Sequence, residues 1–445
     1  MITEQEQTWV LEALALASRE GADKARASLC KSEEDLVATL NGEVDKVTRC
    51  EDRSLTLSLF VHGRYGSFST NKCTPDALRD FIPKAVHTTA LLAPDACRDL
   101  PERSRICRTA ITGDELSCRD GSIAHLTAED RVRLALDAAV FPARDFQGAH
   151  PVSEEGEFSC SSYDSFLADS EGLRCRHRET SFDYGVEATV EDDAGNKYSD
   201  YWWTASTFLR ELDTSRTGRT ALERAAAQIG AAPAPNGSYT MVVDSEAAGK
   251  LVSPLLRALN GYALQQGNSF LRDSLGQQLF SEGLTLLDKP HIPGDSNSKL
   301  FDSEGAATQE GPIIENGIIR KYFINSYMAA KMKTRATQDD AVRPLLSGWP
   351  EPGLDRAAIL QRCGRGILVT GFNGGNSNSA TGDFSYGITG FRFENGRIGR
   401  PVSGMLVTGN FLRLWKNLLA AGDDARPCQS KLIPTLAFSN VDFNG

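Results

Sequence analysis

The chain has 445 residues, 40% apolar and 24% charged, with 48 lysines and arginines against 59 aspartates and glutamates for a formal charge of −11. That acidity excludes a general nucleic-acid binder, which needs a basic face to displace counterions from phosphates, and no apolar run approaches the roughly 18 residues of a membrane span. The composition is that of ordinary globular protein of two or three domains, and the start, MITEQEQTWVLEALALASRE, lacks the basic-then-apolar pattern of an export signal, so a soluble, cytoplasmic chain is expected.

Residues 3 to 20 place Trp9, Val10, Leu11, Leu14 and Leu16 among glutamates and glutamines, a spacing that predicts an amphipathic packing helix. Short alternating runs then meet at Asn41-Gly42 and at Gly66, the punctuation of antiparallel hairpins. Thr74-Pro75-Asp76 opens a helix to about Ala90, with Leu78, Phe81, Ile82 and Ala85 on one side. A polar stretch over 95–125 ends at Thr127, where a capping-box start with Asp130 predicts a second long helix carrying Val132, Leu134, Leu136 and Val140. Residues 155–210 read as four or so strands with a turn at Ala194-Gly195-Asn196. The aromatic run Tyr198, Tyr201, Trp202 and Trp203 reads as sheet core rather than ligand platform.

An alanine-rich helix from Thr220 to Ile229 precedes a linker, Gly230 to Gly237, and a buried strand from Tyr239 to Val243 runs into a helix beginning near Ser245. Beyond residue 280, Asn316-Gly317 and Asn395-Gly396, each flanked by alternating apolar residues, are strong hairpin signals. The expected fold is α+β: an N-terminal sheet-and-helix region, then a C-terminal domain with a large antiparallel, barrel-like sheet that leaves few open edges. The expected domains are 1–120, 121–229 and 230–445, the last carrying the helix at Ser245.

Local chemical motifs are sparse. Eight of ten cysteines lie in the first 175 residues, but no C-x-x-C pair occurs, and no two of the six histidines fall within ten residues of each other. Reduced thiols are expected in a cytosolic chain. The segment Gly364 to Asp383 is rich in glycine, yet an alternating strand pattern follows it where a phosphate-cradling loop would need a helix, so it reads as a loop between strands. Ser245 and Lys250 suggest a serine–lysine hydrolase pair, but five positions on a helix separate them by about 140°. An N-cap serine and a solvated lysine is the better account.

Four segments carry a family resemblance: RYGSFSTNKCTPDALRDFIPKAV, VVDSEAAGKL, KLFDSEGAATQEGPIIENGIIRKYFINSYMAAK and NSNSATGDFSYGITGFRFENGRIGRPVSGMLVTGN. On these the chain resembles the TldD/PmbA family of metallopeptidases, and within it the PmbA branch, also called TldE. In the TldD branch a helix bears His-Glu-x-x-x-His, and a cysteine near the C-terminus completes a zinc site. Laid over this chain, the motif falls on Ser245-Glu246-Ala247-Ala248-Gly249-Lys250 and the cysteine on Cys428.

Both histidine positions are therefore changed. Zinc wants three or four imidazole, thiolate or carboxylate ligands; a serine is a poor one, and a lysine ammonium places positive charge where the dication would sit. Glu246 and Cys428 supply two ligands at most, and each also reads as ordinary structure, an acidic first-turn residue and a plain cysteine. The resemblance implies a subunit without catalytic zinc, paired with a TldD-type partner that holds the zinc, acting on peptides and unfolded segments. A peptide-binding or scaffold homodimer is the alternative, and independent hydrolysis through Glu246 or Cys428 a third reading.

Overall fold

Thr3 starts the first helix by a reciprocal exchange: its hydroxyl accepts from the Glu6 N–H at 3.2 Å, and the Glu6 carboxylate accepts from the Thr3 N–H at 2.8 Å. The helix, α1 (Glu4–Arg19), buries Val10, Ala13, Leu14 and Ala17, the face its periodicity marks. The computed structural model describes residues 1–138, 148–347 and 353–445; the expected place of Val140 lies outside these. The described chain divides into two compact units. The first comprises Met1–Glu223, His291–Thr308 and Asn325–Gln338, the second Arg224–Pro290, Gln309–Ile324 and Asp339–Gly445.

The first unit is built on one antiparallel sheet of six strands: β1 (Lys24–Leu40), β2 (Glu43–Val61), β3 (Arg64–Thr70), β4 (His150–Asp169), β5 (Arg174–Glu191) and β6 (Lys197–Ser206), in the order β3-β2-β1-β4-β5-β6. Helices α1 and α2 (Pro75–Ala90) share a core with it through Leu29, Leu57, Leu78 and Ile82. Helix α3 (Ala128–Ala138) starts at Thr127, whose hydroxyl accepts from the Asp130 N–H at 3.1 Å while Asp130 accepts from the Thr127 N–H at 3.0 Å. The segments 291–308 and 325–338 join this unit; Leu300, Phe301 and Ala307 pack on Ile106, Cys107 and Cys175.

Several expectations for this region are corrected. The strands are not short, because β1, β2, β4 and β5 run 17 to 20 residues, and residues 155–210 hold parts of three strands, not four. Long pairing partners on both sides let polar residues stay in register where composition alone suggests breaks. The second turn is at His62-Gly63, both at positive φ, and Gly66 lies within β3. There a Cβ would come within 2.5 Å of the Thr89 hydroxyl, so this glycine serves packing against α2 rather than a turn. The aromatic run is not core: β6 is an edge strand, Tyr201 is 49% exposed and its neighbours are half-buried.

The second unit follows helix α4 (Thr217–Ala226), within which the division falls. Its strands are β7 (Gly237–Val243), β8 (Thr285–Asp288), β9 (Gly311–Glu315), β10 (Ile318–Ile319), β11 (Pro344–Ser347), β12 (Arg365–Ser377), β13 (Asp383–Glu394), β14 (Arg397–Asn410), β15 (Leu418–Ala421) and β16 (Leu436–Asn444). Strands β14-β13-β12-β7-β16 pair in order, and β14 pairs back onto β16, closing five strands into a barrel. The expected α+β fold with a barrel-like sheet is therefore found, with one difference: β7 and β12 are parallel. A smaller sheet, β10-β9-β8-β11, stands beside it in the same unit.

Asn316-Gly317 and Asn395-Gly396 are hairpin turns as expected, all four residues at positive φ. The glycine-rich segment is not a loop: residues 365–377 form β12, and only the short connection to β13 is irregular. Close strand pairing accounts for two of its glycines, since at Gly366 a Cβ would stand 2.1 Å from the Thr240 carbonyl oxygen and at Gly375 one would stand 2.1 Å from that of Ser385. Close strand crossing selects against side chains there. Among the described residues no disulfide forms, and no helix is long and apolar enough to cross a membrane.

Candidate functional site

Helix α5 (Ser245–Ala258) grows directly from the carboxyl end of β7. The junction is fixed by the Asp244 N–H, which donates to the Val369 carbonyl of β12 at 3.0 Å, and by the Asp244 side chain, which accepts from the Glu246 N–H at 3.0 Å and pairs with the Arg356 guanidinium. Asp244, only 4% exposed, is thus the N-cap. The expected N-cap, Ser245, is instead the first helical residue and buried. An aspartate caps the first-turn N–H groups as well as a serine does and also adds negative charge at the positive helix end.

Along α5 the apolar residues Ala248, Leu251, Val252, Leu255 and Leu256 face the core. Lys250 is exposed, so it and buried Ser245 do not meet as a catalytic pair. The Lys250 ammonium instead stands 5.7 Å from the centre of the Tyr386 ring. Glu246 is half-buried and held through one oxygen: its Oε2 pairs with Arg426 and accepts from the Gln429 amide at 3.0 Å, and the same amide nitrogen donates to the Glu246 carbonyl at 3.2 Å.

These contacts bring the loop holding Cys428 onto the start of α5. Arg343, completely buried, clamps that loop by donating to the carbonyls of Pro427, at 2.9 Å, and Gln429. The positions equated with a zinc motif therefore converge in space around Glu246, although Cys428 itself is a half-buried thiol. Their chemistry does not match zinc: a hydroxyl, an ammonium and a carboxylate already neutralised by a guanidinium do not make three or four metal donors. Among the described residues no group of three or more His, Cys, Asp or Glu side chains converges in a way that could hold a metal ion.

Beside Glu246 the surface opens into a hollow of about 430 Å³ walled by α5, the stretch Thr370–Phe372 of β12 and residues 429–431. It lies beyond the paired stretch of the parallel strands β7 and β12, where α5 leaves the end of β7. Sequence reasoning found Glu246 and Lys250 but missed Asp244, Arg356, Arg426, Gln429 and Lys431. Of these, only Asp244 carried a local signal, an aspartate immediately before a helical run. Arg426 and Gln429 lie 180 and 183 residues from Glu246 in sequence, and no pattern of spacing announces such pairs.

Comparison with known proteins places these features in a wider set. The profile of the PmbA/TldA metallopeptidase central domain matches residues 121–229, and that of the C-terminal domain residues 236–445. The metalloprotease PmbA of Escherichia coli O157:H7 is 26% identical over 435 residues, covering 96% of this chain and 94% of its own. A Bacteroides thetaiotaomicron crystal structure, described as a candidate modulator of DNA gyrase, is 35% identical and covers all of both chains at a TM-score of 0.95. The crystal structure of TldE from Thermococcus kodakarensis shares the fold, at 19% identity and a TM-score of 0.83 over 98% of this chain and all of that one.

Proposed function

The chain belongs to the TldD/PmbA metallopeptidase family, and from that membership we propose that it is the PmbA/TldE-type subunit of a heteromeric peptidase, with the zinc held by a TldD-type partner. The observation that carries the reading is the state of the motif positions: Ser245 buried in the first turn, Lys250 an ammonium, and Glu246 tied to Arg426 and Gln429. A glutamate that serves as general base must reach a water with a free lone pair. Here guanidinium and amide both hold the Oε2 of that carboxylate and fix its place, which suits a positioning role.

Zinc in the partner would lower the pKa of a bound water and so supply the nucleophile. This chain's share is to bound the chamber and hold substrate. Peptides and unfolded segments are the proposed substrates, since extended backbone can add to an open sheet edge with little dependence on side chains, and β3 is a terminal strand of the six-stranded sheet among the described residues. The test is reconstitution. Purified chain, loaded with zinc, is expected to leave an unstructured substrate such as casein intact and to gain proteolysis on mixing with a TldD-type protein. Metal analysis is expected to find stoichiometric zinc in the mixture only. Zinc-dependent proteolysis by the chain alone would refute the reading.

A further inference from the structure

The hollow beside Glu246 has an electrostatic character opposite to that of a zinc cleft. The carboxylate on its rim is cancelled by Arg426. Two ammonium groups, Lys250 and Lys431, line the same hollow, and neither forms an ion pair with a carboxylate among the described residues. The acidic group felt by Lys431 is Asp340, which does not line the hollow. In a chain of charge −11, two lysines lining one concavity whose only lining carboxylate among the described residues is paired with Arg426 run against the mean field and focus positive potential there.

The walls add selectivity. Ser253 is turned away, its hydroxyl donating to the Gly249 carbonyl at 3.0 Å, so charge at this site comes from the lysines. Phe372 and Ala247 give the hollow an apolar side. A ligand that suits it has a compact anionic head and a small apolar body next to it. A dication, by contrast, would have to enter between two lysine side chains.

We propose that this hollow binds the C-terminal carboxylate of a peptide, the two lysines flanking the carboxylate and the terminal side chain resting toward Phe372. The chain would then anchor chain ends, and the position its relatives give to a metal would here hold the substrate's terminus. The assignment of peptide as the anion's source rests on the peptidase reading above; the anion preference rests on the lysines alone.

The test uses the isolated full-length chain, without partner or hydrolysis, so that its failure is separate from failure of reconstitution. Fluorescence anisotropy would follow a fluorescein-labelled alanine–glycine pentapeptide with a free C-terminal carboxylate against its C-terminal amide. The acid is expected to bind at least about tenfold more tightly than the amide and to weaken as salt rises from about 50 to 500 mM. Lys250→Met with Lys431→Met should abolish that preference, while Lys250→Arg with Lys431→Arg should retain it, showing that charge rather than folding is at issue. Inorganic phosphate, added as competitor, should displace the acid peptide. Equal binding of acid and amide, binding of phosphate without that discrimination, or an acid preference that survives the double methionine variant would each overturn the proposal.

Discussion

Glu154 offers a sharp check on the physical reading of the first unit. It is 2% exposed in β4, neither carboxylate oxygen has a hydrogen-bond partner among the described residues, and the hydroxyls of Thr39 and Tyr184 are orphaned in the same way. The hydroxyls converge on Gly156, where a Cβ would stand 2.4 Å from the Thr39 oxygen and 3.1 Å from that of Tyr184. Burial raises the Glu154 carboxyl above its ordinary 4.5. The native state therefore holds a proton that the unfolded chain releases at lower pH, and wild-type stability falls as the pH climbs from 4.5 to the raised native value, then levels off.

An unsatisfied buried polar group costs about 1–3 kcal/mol, so Glu154→Leu, close in volume, should stabilise the protein by about that amount at neutral pH rather than destabilise it as most core changes do. Within the titrating window the advantage of the leucine should shrink on acidification by up to about 1.4 kcal/mol per pH unit, because the protonated acid is cheaper to bury. Urea unfolding of both proteins at several pH values, followed by circular dichroism, measures this. If the leucine variant were less stable by more than about 1 kcal/mol at neutral pH, or if the difference between the two did not vary with pH, the reasoning would fail.

Two further outcomes follow from the geometry. Asp244→Ala removes the buried cap of α5 and the partner of the half-exposed Arg356, and should cost about 1–2 kcal/mol in the same unfolding assay; a loss below about 0.5 kcal/mol would contradict the buried junction. In thiol alkylation near pH 8, exposed Cys50 should label first, while Cys118, 1% exposed and pushed up to about 12 by burial, should stay unmodified until the fold opens. Peptide mass spectrometry of the labelled protein reads the order directly.

What the sequence determined by itself is local in origin. Asn41-Gly42, Asn316-Gly317 and Asn395-Gly396 turn because positive φ is intrinsic to those residue pairs, and α1, α2 and α5 form because apolar residues recur at helical spacing beside capping residues. The family was legible on the same terms, in segments such as VVDSEAAGKL. What the tertiary structure decided depends on partners remote in sequence: the length of β1, β2, β4 and β5, set by register with neighbours; the recruitment of residues 291–308 and 325–338 into the first unit; and the conversion of a glycine-rich stretch into β12. The occupation of Glu246 belongs to this second group, because Arg426 and Gln429 are brought to it by the pairing of β16 with β7 and by the hold of Arg343 on the loop before β16. Periodicity encodes which face of an element is buried, but not which distant charge will meet it there.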